Sequence, residues 1–165
     1  RHTSSSDVIA SLIRDGHCEI AFSHFPFAAA GLTTRVLGIH EYWLVVPHDA
    51  EIDWRDPFPL DDLPDIPVVG LPKESSSRTV IEKALQAAGS RTIMSAVVEQ
   101  REAVGAFVVE GVGMSFMERT LAERAAVGGA RICTLDPPIT VPYGVIYDEA
   151  RLSPAGRAFL DTLAP

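Results

Sequence analysis

The sequence predicts an α/β fold, and three observations carry that expectation. Between Val68 and Leu135, short apolar runs alternate with stretches whose apolar residues recur at helical spacing. Glycines stand where the helical stretches stop, at Gly16, Gly89, Gly111 and Gly128-Gly129, as helix ends that need a positive φ require. The connections between successive elements are short. Strand and helix alternating at this spacing predict parallel sheets with helices on both faces.

Taken in order, Ser6-Asp7 supplies a helix N-cap with an acid in the first turn. Val8, Ile9, Leu12 and Ile13 then predict one buried helical face that ends at Gly16. Glu19 to Ser23 reads as a strand, His24 to Gly31 as a loop, and Leu32 to Leu37 as a strand stopping at Gly38. Tyr42-Trp43-Leu44-Val45-Val46 is a stronger strand, aromatic and β-branched with a proline stop. His48 to Pro67 is acidic and carries four prolines, which suits a surface connection with one helical turn at Leu60 to Leu63.

Val68 to Leu71 is a buried strand, and Ser77 begins a helix lined by Val80, Ile81, Ala84, Leu85 and Ala88. A strand at Ile93 to Val98 precedes a helix whose Val104, Phe107, Val108 and Gly111 share a face. Gly111-Val112-Gly113 then turns the chain directly into a buried strand ending at Met117. A helix from Glu118 to about Val127 and a strand at Ile132 to Leu135 follow. Beyond Pro137-Pro138 come a strand at Tyr143 to Tyr147, a Ser153-Pro154 helix start, and a final helix buried through Phe159, Leu160 and Leu163.

At 165 residues the chain is long enough for one domain or two small lobes. No apolar run approaches a membrane span and no signal peptide is visible, so a cytoplasmic location and no membrane contact are expected. With 14 Lys and Arg against 22 Asp and Glu, the net charge is −8 and the basic residues are scattered. Such a surface repels a phosphate backbone, so this chain should not bind DNA by itself. Cys18 and Cys133 lack CxxC spacing and read as reduced thiols rather than a disulfide or zinc site.

Val108-Val109-Glu110-Gly111-Val112-Gly113 followed by Met114 to Met117 resembles a hallmark of the LysR-type transcriptional regulators, in their C-terminal effector-binding domain. Flanking segments fall in that family's order. Glu19 to Ser23 matches a helix–glycine–acid–strand pattern, with Glu19 in place of the usual aspartate, and Ser153-Pro154 with Phe159 matches the family's tail. The resemblance covers nearly the whole chain. It implies two Rossmann-like lobes of the periplasmic-binding-protein type (type 2), joined by two crossing strands. Residues 1–42 and 145–165 would form lobe I, and 43–144 lobe II. The family's domain begins with a strand, a helix and a strand before the loop matching Arg1 to Ser6, so lobe I is expected to be incomplete.

The implied function is effector sensing: a small organic anion held between the lobes modulates a regulator that self-associates as a dimer or tetramer. DNA would be reached only through a winged helix-turn-helix upstream. Pro72 to Arg78 joins a strand to a helix start, where free N–H groups favour an anion. One serine there could be simply the N-cap, but the family uses hydroxyl residues at this loop for a ligand carboxylate. Ser75, Ser76, Ser77 and Arg78 are therefore candidates. Glu99 and Gln100, with Arg101, open the next helix at a strand's C-terminal end, where open α/β sheets bind ligands. Ser23 and His24 follow the first-lobe strand, and Thr3 and Ser4 occupy a family loop that lines the cleft.

Catalytic readings find less support. Gly113-Met114-Ser115-Phe116-Met117 lacks the second glycine of a nucleophile elbow, and Gly111-Val112-Gly113 follows a helix instead of opening one, against a dinucleotide fingerprint. The five histidines show no metal-ligand spacing. No enzyme activity, cofactor or metal is expected. A redox-sensing cysteine pair stays open because relatives sense peroxide. The alternative is a solute-binding receptor or a small-molecule-binding enzyme domain of the same architecture.

Overall fold

The computed structural model describes residues 5–27 and 30–163. The chain forms two compact units. The described residues up to Ile39, with Glu74–Ser77 and those from Val141 on, make unit 1; His40–Lys73 and Arg78–Thr140 make unit 2.

Unit 1 begins with α1, Ser5–Arg14. Its buried residues are Ala10 and Ile13, while Val8 and Leu12 stand nearly half exposed, so the packed face is narrower than the apolar stripe predicts. Gly16 adopts a φ of 75° and turns the chain into β1, Ile20–His24. The next strand, β2, runs unbroken over Thr33–Val46 and carries the chain from unit 1 into unit 2. The sequence pattern predicts a stop at Gly38. Instead the glycine makes room for a ring, because a Cβ there would come within 2.9 Å of Tyr143.

In unit 2 the proline-rich connection contributes β3, Phe58–Pro59, and a 3-10 turn at Leu60–Asp62. Phe58 and Leu60 are fully buried, which fixes this connection onto the unit. Then follow β4 (Val68–Gly70), α2 (Ser76–Ala87), β5 (Met94–Val97), α3 (Arg101–Val109), β6 (Ser115–Glu118), α4 (Arg119–Val127), β7 (Arg131–Cys133) and β8 (Leu135–Asp136). The chain returns to unit 1 along β9, Ile139–Tyr147, and ends in α5, Pro154–Thr162.

Alternation correctly predicts the α/β class but not the strand directions. β1 pairs with β9, and β2 with β6 and β7, all antiparallel. Among the described residues, β3 with β8, β4 with β5, and a bridge between Val68 and Met114 pair in parallel. The cause is that β2 and β9 are long return strands, which enter the sheet against the direction a strand–helix–strand crossover would set.

The unit 2 core is Val45, Val69, Val104, Val108, Met117 and Leu121, closed by the small residues Ala122 and Ala125. Here α3 and α4 pack closely through Gly105, whose added Cβ would lie 3.2 Å from that of Ala125. The buried face of α3 is accordingly Val104, Gly105 and Val108, and Phe107 is turned 40% to solvent instead of joining the stripe. In unit 1 the corresponding core is Val145, Leu152 and Leu160, with Ile20, Leu37 and Tyr147 packed against it. Phe159 is exposed, contrary to the expected face of α5. Among the described residues no helix is long and apolar enough to cross a membrane.

Candidate functional site

In unit 1 the serine loop meets the end of β1. Ser76 opens α2, and its Oγ donates to the Pro26 carbonyl oxygen at 2.8 Å, just beyond Ser23 and His24. Ser23 Oγ donates to the His24 carbonyl at 3.3 Å. Ser75 and Ser77 hydroxyls lie 2.9 Å apart, and Ser77 is fully buried. A helix start leaves backbone N–H groups without intrahelical partners, and these attract an anion. The structure thus brings Ser75, Ser76, Ser77, Ser23 and His24 into one unit. Thr3 and Ser4 lie outside the described residues.

In unit 2, Arg78 is anchored rather than extended: Nη1 donates to the Leu71 carbonyl and Nε to Glu82 Oε1, each at 2.7 Å. Glu99 and Gln100 are exposed. Gln100 is the N-cap residue of α3 by position, in extended conformation, but its side chain makes no cap hydrogen bond. Behind it Arg101 Nη1 lies 3.6 Å from Glu118 Oε2, the same oxygen that faces His40 Nδ1 at 2.8 Å. Sequence reasoning misses His40 and Glu118 as site partners. Glu118 stands opposite Tyr42 across the β2–β6 ladder, a pairing that no local motif signals.

Ser115, the one residue reminiscent of a nucleophile elbow, is buried and donates to the Val69 carbonyl at 2.8 Å. It is bound up in holding β6 to β4. Cys18 and Cys133 are free thiols in different units. Burial, reinforced by the nearby Asp56 charge, pushes the Cys133 thiol up to about 12, which keeps it protonated and poorly nucleophilic.

The fold is that of a two-unit α/β domain with a polar loop at a helix start. The sequence profile of the LysR substrate binding domain matches residues 2–165, and the chain belongs to that family. Similar solved structures include the effector binding domain of QuiR in complex with shikimate, at a TM-score of 0.84 and 18% identity, covering 96% of this chain and 75% of that one. Another is the regulatory domain of Synechocystis PCC6803 CcmR in complex with 2-PG, at 0.80 and 18%, covering 94% and 76%. The reduced regulatory domain of OxyR2 from Vibrio vulnificus gives 0.77 and 17%, covering 98% and 76%. At these identities the likeness is one of fold. Comparison with curated proteins returns no match.

Proposed function

We propose that this chain is the effector-sensing domain of a LysR-type transcriptional regulator, acting in the cytoplasm without catalysis of its own. It takes a small organic anion, and binding favours one arrangement of its two units over another, so that the signal reaches an oligomer bound to DNA through other parts of the regulator. The observation that carries this reading is the hydrogen bond from Ser76 to Pro26. It sets the hydroxyl-rich start of α2 beside the end of β1, where free helix N–H groups and serine side chains suit a carboxylate. The complexes of QuiR with shikimate and CcmR with 2-PG support it as precedents on the same fold.

Calorimetric titration with a panel of small carboxylates tests the reading. At least one should bind, and Ser76→Ala should weaken it by about tenfold, the loss expected of one hydrogen bond to a charged group. Ser76→Thr, which keeps the hydroxyl, should restore most of the affinity. An unchanged affinity in Ser76→Ala would remove the serine loop from the site, and no binding across the panel by the regulator's complete domain would refute the anion class.

A further inference from the structure

Unit 2 contains a cavity of about 70 Å³ that shares Arg78 and Arg101 with the candidate effector segments but none of the serine hydroxyls on which the effector reading rests. Its walls come from five successive elements, β4, α2, β5, α3 and β6, with Leu121 of α4 closing one side. Val69, Leu85, Val104, Phe116 and Met117 are among its apolar lining residues, and all five are buried. Native interiors hold few voids larger than a water molecule. A water needs roughly 10–15 Å³ and two or more polar partners, and an apolar void that offers too few partners stays dry and accepts an apolar guest.

The rim of this cavity is different. Arg78 and Glu82 form one ion pair there, at 2.7 Å, and Arg101 and Glu118 another, at 3.6 Å. Each guanidinium already faces a carboxylate, so an entering anion would have to compete with a partner in place. A neutral molecule meets no such competition. Its hydroxyl can bond to the rim carboxylates or guanidinium groups while its body fills the apolar walls. Glu82, whose side chain is half exposed, marks an entrance that a sealed core would lack.

We propose that this cavity is a second ligand site, specific for a small neutral molecule with a short branched aliphatic or single-ring body and one hydroxyl group. Every residue that lines it belongs to unit 2, so the site does not depend on the serine loop of unit 1. Occupation presses on the Arg101–Glu118 pair, which links the site to the start of α3.

The three methionines supply the readout. Met94 and Met117 line the cavity, whereas the fully buried Met114 does not. With the whole chain labelled at the methionine methyl carbons, titration with isobutanol or benzyl alcohol should shift Met94 and Met117 saturably and leave Met114 in place. Isobutyrate, the charged counterpart, should bind at least tenfold more weakly. Val104→Phe fills the cavity and should abolish the saturable shifts. Should that variant not fold, Val104→Leu, which adds one methylene, should reduce affinity several-fold. Absent or unsaturable shifts, equal movement of Met114, or full binding by Val104→Leu would each overturn the site. Equal binding of isobutyrate would overturn the neutral class. None of these outcomes bears on the effector reading, which is measured through Ser76.

Discussion

Gly111 and Gly113 stand two residues apart and meet different demands. Gly111 sits at a φ of 79° with open space where a Cβ would project, so its need is conformational. Gly113 has no such φ; a Cβ there would strike the Pro67 carbonyl oxygen, to which the Met114 N–H also donates at 2.9 Å. Gly111→Ala should therefore cost about 1 kcal/mol, the left-handed penalty of an L-residue. Gly113→Ala must push β6 away from the end of the proline-rich segment and should cost about 3 kcal/mol, the upper range of overpacking. Urea unfolding of the two variants checks the order, and equal losses would refute the distinction. The first requirement is legible in the sequence, because a glycine closing a helical stripe signals a positive φ. The second is not, since Pro67 is brought to Gly113 only by the pairing of distant strands.

Among the elements, α5 shows how a cap is shared between segments. Ser153 is its N-cap, accepting from the Gly156 N–H at 3.0 Å, as Ser-Pro at a helix start predicts. Its hydroxyl also donates to Glu19 Oε2 at 2.8 Å, and its own N–H donates to the same oxygen at 3.1 Å. The acid that the family pattern places before β1 thus completes the cap of the last helix. Ser153→Ala and Glu19→Ala should each cost about 1 kcal/mol, and the double variant should cost less than both together, because the second change removes bonds the first has already broken. Additive losses in thermal or urea unfolding would separate the two roles. Helix spacing also shows which helices exist but not how each is rotated. Val8, Leu12, Phe107 and Phe159 lie on predicted faces yet are well exposed, because small residues such as Gly105 and Gly156 set where the neighbouring element can approach. The serine loop is legible as a helix start; its bond to Pro26, formed across fifty residues, is not.

Over the whole chain, the α/β class and the family are readable from end to end because local motifs keep their order. Strand direction is not, because long-range pairing decides it. Unit 1 takes its strands from both ends of the chain, with β9 lying between β1 and β2, whereas unit 2 is built almost entirely from one stretch between His40 and Thr140. Contacts between sequence neighbours form faster than those that must close a long loop. In pulsed hydrogen exchange during refolding, amides of β4, α3 and β6 should gain protection before those of β1, and simultaneous protection would refute that order. The same topology matters during synthesis. When β2 leaves the ribosome, β9 has not yet been translated, so the edges of β1 and of the first half of β2 that β9 will join wait unpaired. For that interval the nascent chain offers strand edges to any passing polypeptide, and a chaperone that shields β1 and β2 until β9 emerges would guard the stage at which these strands are most exposed to misassembly.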